Sequence, residues 1–279
     1  MAEKEGFTKL NTFFTADLHM DHRNIVLHCL RWPWMFRNPD YDPNRPNHIK
    51  LNWPWSVRLE EHNQAFADNW NSMVSRGDRV YVLGDFAFMN HMRHLMRLNG
   101  KKILITGNHD KMNQECLRNF TEVHEWGCMR NVGLGVKDDR GREKSVYMAL
   151  SHCAMMVWPS SIHGSWHLYG HSHGRLPEWG NKLAFDVGVD VWGYQPVPLE
   201  AVVAKMTAKI DALRANNRSA GDGESSMVNK TQGDANERVL SIRRGNFEVL
   251  KSLGIAVKYD CEPKEGVPDD PGDGAEDLD

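Results

Sequence analysis

The stretch ILITGNHDK, residues 103–111, runs from an apolar, β-branched segment directly into Gly107, Asn108, His109 and Asp110. An amide, an imidazole and a carboxylate in a row are a poor continuation of a buried strand but a good ending for one. In layered α/β folds the sheet fixes the backbone, and the loops at strand ends present side chains to ligands.

The same arrangement recurs along the chain. β-rich runs appear at NTFFTA (11–16), RVYVLG (79–84), KKILIT (101–106), KSVYMAL (144–150), SWHLYG (165–170) and KLAFDVGV (182–189). Five polar clusters sit at or near their ends: ADLH with Asp17 and His19, GDF with Asp85, GNHD with Asn108, His109 and Asp110, LSH with His152, and GHSH with His171 and His173. Phe66, Trp70, Met73 and Val74 have the spacing of one helix face between the first two strands, and Leu199, Val202, Met206, Ile210 and Leu213 form another after the last. Alternating strands and helices followed by a strand-rich half predict a mixed α/β layered fold.

The clustered residues are chemically coherent. Carboxylate oxygen, imidazole nitrogen and amide oxygen suit divalent Mn, Fe, Zn or Ni, and the five cysteines, which form no C-x-x-C pair, argue against a thiolate zinc site or a disulfide framework. If D-x-H and H-x-H leave their strands in extended conformation, residues i and i+2 face the same way and form pincers. Asp17, His19, Asp85, Asn108, His152, His171 and His173 are too many ligands for one tetrahedral ion and suit two ions sharing a bridging carboxylate. A single histidine is more often a satisfied structural residue, but G-N-H-D arises by chance only about once in 10⁵ positions at average usage.

This order of motifs, D-x-H, G-D, G-N-H-D, H, G-H-x-H, resembles the signature of the calcineurin-like metallophosphoesterase superfamily over residues 12 to 210. The text around it, DHRNI (21–25), DNWNSMV (68–74) and VGVDVWGY (187–194), is most similar to small uncharacterised phosphoesterases of bacteria and phages. The resemblance implies a four-layer αββα sandwich of two mixed sheets with two divalent ions. One ion is expected on Asp17, His19, Asp85 and His173, the other on Asp85, Asn108, His152 and His171, with Asp85 bridging. It further implies hydrolysis of a phosphoester, most of all a phosphodiester of nucleotide or nucleic-acid type, by a hydroxide bridging the metals. His109 is the expected non-ligand imidazole beside the substrate. The second motif reads GDFAFMN, without the further Asp of the larger phosphatase relatives, so Asp110 is the candidate to orient His109. The alternatives are a phosphomonoesterase or a metal-containing protein-interaction scaffold without catalysis. Retention of all eight residues favours the enzyme.

Elsewhere the sequence is less specific. Trp32, Trp34, Phe36, Trp53 and Trp55 lie among prolines in 31–55, a segment that packs on the core or roofs the pocket and stacks on a base. Asn24 is placed to cap a helix beginning near Ile25, His22 or Arg23 to touch phosphate, and Asp190 to end a strand. The catalytic domain is expected over 1–214. A flexible linker follows over 215–235, then a short helical segment and an acidic, disordered tail over 236–279. Residues 211–279 hold 9 Lys and Arg against 15 Asp and Glu, so the body of the chain is near neutral, which suits a nucleotide or single-stranded nucleic acid better than long duplex DNA. No apolar run has the length of a membrane span and the first residues have no export signature, so a cytoplasmic location is expected.

Overall fold

A computed structural model of the chain describes residues 11–41, 55–219 and 235–259. In chain order the elements are β1 (Thr12–Thr15), α1 (Arg23–His28), β2 (Met35–Arg37), β3 (Trp55–Val57), α2 (Leu59–Met73), β4 (Arg79–Leu83), α3 (His91–Arg97), β5 (Lys101–Ile105), α4 (Gln114–Leu117) and β6 (Glu122–His124). These are followed by β7 (Gly127–Lys137), β8 (Glu143–Ser151), β9 (Trp166–Tyr169), β10 (Ala184–Asp186), β11 (Val197–Pro198), α5 (Leu199–Ser219) and α6 (Ala235–Ser252). The described residues form a mixed α/β structure with three sheets and several helices.

One sheet has the order β11-β1-β4-β5-β6, in which β1, β4, β5 and β6 run parallel and β11 antiparallel. The second has the order β10-β9-β8-β7, parallel except for the β7–β8 pair. A two-stranded antiparallel ribbon joins β2 to β3. Strand alternation sends neighbouring residues to opposite faces, and it sorts the core accordingly. Phe13, Val80, Val82 and Leu104 pack with Phe66 and Trp70 of α2 and Leu95 of α3. Phe14, Tyr81, Leu83, Ile103 and Ile105, on the other face, pack with Met148, Leu150, Trp166, Leu168 and Phe185 of the second sheet. The two larger sheets therefore share one apolar core, with α5 (Val202, Met206) and α6 (Leu250) contributing to it.

The apolar runs read from the sequence all contain strands, though KLAFDVGV forms one only over Ala184–Asp186. Strands β6 and β7 carry no comparable apolar signal. In β7, Arg130 and Asn131 interrupt the pattern, and it is paired along most of its length with β8. Among the described residues of the Trp-rich segment, Trp34 is buried against His62, Phe66, Tyr194 and Tyr259, and buried Trp55 meets Trp32 edge-on. Trp53 lies outside the described residues. Helix α5 extends to Ser219, so residues 215–219 of the expected linker are helical; 220–234 and the tail from 260 lie outside the described residues. Asn24 lies inside the first turn of α1 and His22 takes the N-cap position, with no side-chain cap. Among the described residues no helix is long and apolar enough to cross a membrane.

Candidate metal centre

The site is built at the C-terminal ends of parallel strands from both larger sheets. Asp17 and His19 follow β1, Asp85 follows β4, Asn108 follows β5, His152 follows β8, and His171 and His173 follow β9. The expected pincers do not form in the expected way. Asp17 (φ 59°), His19 (49°), Asp85 (54°), His171 (68°) and His173 (47°) all occupy the left-handed region, not an extended exit. That conformation costs an L-residue on the order of 1–2 kcal/mol. It turns each side chain out of the strand direction, and the surrounding hydrogen bonds hold it there.

Those bonds lace the loops together. The amide of Asp17 donates to the Gly84 carbonyl (3.1 Å), that of His19 to the Asp85 carbonyl (2.9 Å) and that of Met20 to the Phe86 carbonyl (3.2 Å). The His171 N–H donates to the Asp17 carboxylate (2.8 Å to Oδ2), which ties the two sheets to each other, and the His109 N–H donates to Asp85 Oδ1 (3.0 Å). Glycine before Asp85 and before Asn108 is a matter of space. A Cβ on Gly84 would stand 2.3 Å from His152 Nδ1, and one on Gly107 would stand 2.3 Å from Asp85 Oδ1.

Among the described residues the predicted ligands supply two groups of donor atoms, and Cys29, His173 and Asp190 form a third. Asp17, His19 and His173 each offer an atom within 4.8 Å of the others, and so do Asp85, His152 and His171. Asp85 stands between the groups, its Oδ2 lying 3.3 Å from His19 Nε2 and 3.4 Å from His152 Nε2. Asn108 joins the second group, with Oδ1 3.0 Å from His152 Nε2. His171 and Asn108 are solvent-exposed while Asp17, His19, Asp85 and His152 are buried, so the cluster has one open side.

The donor set can be tested for its fit to cations. His19 Nε2 is buried and has no hydrogen-bond partner. His152 Nδ1 donates to the Leu83 carbonyl (2.8 Å), which directs Nε2 toward Asn108 Oδ1, His171 Nδ1 (3.1 Å) and Asp85 Oδ2. Three acceptors facing one ring nitrogen can share at most one proton, whereas a divalent ion would satisfy all of them. The local field agrees. Burial opposes a charge on His152, but Asp85 and Asp17 more than offset it and lift its pKa to about 9. Burial likewise raises Asp17 to about 7 and lowers His19 to about 3. Burial also opposes the Asp85 charge, yet the neighbouring His152 and His19 imidazoles hold it below the usual carboxylate range. The residues fit divalent ions.

His109 is half-buried beside the cluster, its ring 5.5 Å from that of His19 and 6.0 Å from that of His22. Asp110 does not turn toward it. Its Oδ2 accepts the amides of Gly107 and Asp85 (both 2.8 Å) and its Oδ1 that of Phe86 (2.9 Å), so Asp110 shapes the two motif loops instead of orienting the His109 ring. His22 stacks on Phe88 (4.6 Å between centroids) with Nδ1 3.4 Å from His19 Nδ1, and Arg23 reaches Ser56.

Sequence reading missed the residues behind the candidate ligands. Asp190, expected merely to end a strand, is fully buried in a 3-10 turn, Val189–Val191. Its Oδ2 accepts from His173 Nδ1 (2.7 Å), and the carboxylate takes both Nε (2.8 Å) and Nη2 (2.8 Å) of Arg31. Arg31, itself fully buried, also donates to the Asp17 (2.7 Å) and Leu18 (3.0 Å) carbonyls. Asp186 accepts from the Ser172 hydroxyl (2.6 Å) and the Gly174 amide (3.0 Å), which folds the H-S-H loop. Asp21 accepts from Asn63 (2.6 Å), Asn90 (2.7 Å) and His94 (2.8 Å), anchoring the first motif to α2 and α3. The acidic residue two or three positions past an apolar run was the one available signal, in FDVGVD.

Fold and site together define a mixed α/β protein with a buried histidine–carboxylate cluster at its strand ends. No family model matches the chain. It is 27% identical over 215 residues to the uncharacterized protein MJ1445 of Methanocaldococcus jannaschii, covering 74% of this chain and 96% of that one. It is 26% identical over 210 residues to the gene 66 protein of Mycobacterium phage L5, covering 66% and 88%. Among solved structures, the protein of unknown function AQ665 from Aquifex aeolicus matches 74% of this chain and 100% of its own at 18% identity, with a TM-score of 0.41.

Proposed function

We propose that the protein is a dinuclear metal-dependent phosphoesterase of the calcineurin-like type, with its larger sheets arranged as the inner layers of an αββα sandwich. The observation that carries this reading is the position of Asp85 Oδ2, 3.3 Å from a nitrogen of one donor group and 3.4 Å from a nitrogen of the other. One carboxylate oxygen between two imidazole groups is what a bridging ligand requires. Asp17, His19, Asp85 and His173 would hold one ion, and Asp85, Asn108, His152 and His171 the other.

Divalent ions there would supply Lewis acidity toward phosphoryl oxygens and lower the pKa of a bound water. The remaining chemistry belongs to the chain. The exposed side, at His171 and Asn108, admits an anionic phosphoester, while burial of the other ligands limits solvent behind it. His109 stands at this edge with its backbone fixed to Asp85 and its ring unengaged by Asp110. It would donate a proton to the departing oxygen. A phosphodiester of nucleotide or single-stranded nucleic-acid type is the favoured substrate class.

The test is hydrolysis by the full chain, with and without Mn²⁺, of a panel holding bis-p-nitrophenyl phosphate, p-nitrophenyl phosphate, cyclic nucleotides and single-stranded oligonucleotides. Metal-dependent turnover of diesters above monoesters is expected. Preference for the monoester would make it a phosphomonoesterase. Tight Mn²⁺ binding with no turnover of any ester would instead favour an interaction scaffold.

A further inference from the structure

We infer that the C-terminal helix α6 is a positioning element of the metal centre. It holds the turn that carries Asp190, and through Asp190 it keeps the His173 imidazole in the tautomer that leaves Nε2 free to coordinate. The inference rests on the metal-centre reading above, and it concerns a segment that the strand-end motifs do not include.

The Val189–Val191 turn is closed by its own backbone, Val191 N–H donating to the Gly188 carbonyl (3.1 Å) and Tyr194 N–H to the Val189 carbonyl (2.9 Å), which leaves its later carbonyls to be met from outside. Its carbonyls at Asp190 and Val191 are met from α6: Arg243 donates through Nε to the Asp190 carbonyl, and Asn246 donates through Nδ2 to the Val191 carbonyl (2.8 Å). Arg243 and Asn246 are three residues apart and lie on one face of the helix. Both are buried, Asn246 completely. Asn246 is held in turn, since its Oδ1 accepts from Lys205 of α5, itself paired with Glu178. The amide therefore has both a fixed acceptor side and a fixed donor side, and its clamp on Val191 is directional.

The same helix touches the loop that carries His173. Gly174 adopts a left-handed φ of 77°, and a Cβ there would stand 2.3 Å from Val191 Cγ1 and 3.5 Å from Val239 Cγ2 of α6. Gly174 thus lies against both Val191 of the turn and Val239 of the helix. On the far side of the turn, Asp190 accepts the His173 Nδ1–H and the Arg31 fork. A carboxylate on one nitrogen of a ligand histidine fixes the tautomer and the ring plane. Displacing the turn by a fraction of an ångström would weaken that bond first. Among the described residues no hydrogen bond links the side chains of Asp85, His152, His171 or Asn108 to α6, so the effect should fall on one ion and spare the other.

The experiment uses the full chain with Mn²⁺ alone as probe. Binding is followed by calorimetry and metal analysis, and the imidazole tautomers of the metal-free protein by nitrogen NMR at a pH high enough that His173 is neutral. Asn246→Asp removes the donor to Val191 while keeping an acceptor for Lys205; Arg243→Met removes the other donor; Arg243→Lys retains one; Glu248→Gln alters an exposed position of α6. In the wild type two ions bind and His173 carries its proton on Nδ1. In Asn246→Asp and Arg243→Met, with cooperative melting retained, one ion is expected to bind about tenfold more weakly, the scale of second-sphere effects. The other ion is unchanged, and His173 populates the second tautomer. Arg243→Lys recovers part of the loss and Glu248→Gln none is needed for, since it behaves as wild type. Two ions bound as tightly as in the wild type, with the His173 tautomer unchanged, would overturn the inference. So would equal weakening of both ions, which would reduce α6 to general support of the fold. A wild-type chain that binds no divalent ion would sink the metal-centre reading itself, and the NMR comparison would still decide whether α6 sets the His173 tautomer. Should Arg243→Met fail to fold, Asn246→Asp decides the matter alone.

Discussion

Asp190 Oδ2 lies 2.7 Å from His173 Nδ1, in a bond that spans 17 residues of sequence and is completed by an Arg31 guanidinium 159 residues away. Arg31 and Asp190 are fully buried, so each charge depends on the other. Burial opposes both, but the Arg31–Asp190 contact holds the carboxylate below its usual range and Arg31 above its own. The consequence is a histidine whose orientation is decided by a buried carboxylate outside the predicted ligand set.

Replacing Asp190 by Asn tests that dependence. The variant keeps the shape but leaves a buried guanidinium without its counter-charge, which costs about 3–5 kcal/mol when a buried pair is broken from one side. Denaturant unfolding should show a loss of that order. Mn²⁺ affinity should fall about 10- to 100-fold in one site, as expected when the partner of a ligand histidine is removed. Unchanged affinity at both sites would show that His173 does not coordinate.

Asp85 and His109 should separate binding from turnover. Asp85→Asn removes the oxygen shared by the two donor groups, so metal content and hydrolysis of a chromogenic diester should vanish together. His109→Ala touches no donor atom of either group. It should keep its metals and lose turnover by about 10²- to 10⁴-fold, the range for a general acid. Full turnover in that variant would remove His109 from the chemistry.

Asp110 should behave as a scaffold for the loops. In Asp110→Ala the amides of Gly107, Asp85 and Phe86 lose their acceptor. Leaving buried donors unpaired costs about 1–3 kcal/mol per group, so a stability loss of at least about 2 kcal/mol is expected by chemical denaturation. The pH profile of the residual activity should keep its shape. A shifted limb would instead make Asp110 a partner of His109.

His167 supplies a pH dependence remote from the ligands. Its Nδ1 donates to the Ala149 carbonyl (3.0 Å) and its Nε2 accepts from the Met155 amide (3.0 Å), so the ring must stay neutral. Burial lowers its pKa from 6.5 to about 4. Between those values the unfolded chain binds the proton and the folded chain does not. Stability from this group is therefore full above pH 6.5 and is lost as pH falls toward 4, by up to about 3 kcal/mol. Unfolding free energies of wild type and His167→Gln, measured from pH 4 to 7.5, should diverge in slope over that window. Parallel curves would contradict the assignment.

Local sequence determined the frame of this protein. Apolar β-branched runs ending in G-D, G-N-H-D and G-H-S-H were legible because strand propensity, the alternation of faces and the glycine needed for close approach are local properties, and the strands that carry these motifs lie where those runs predict. The tertiary structure alone decided how the motif side chains meet. The left-handed backbone of Asp17, His19, Asp85, His171 and His173 has no compositional signature in non-glycine residues, because it is held by bonds from other loops. Asp190, Arg31 and Arg243 read as ordinary polar residues until contacts more than 50 positions apart bring them behind one histidine. Charge pairing of that kind depends on where the chain returns, and return points are set by packing of the whole core.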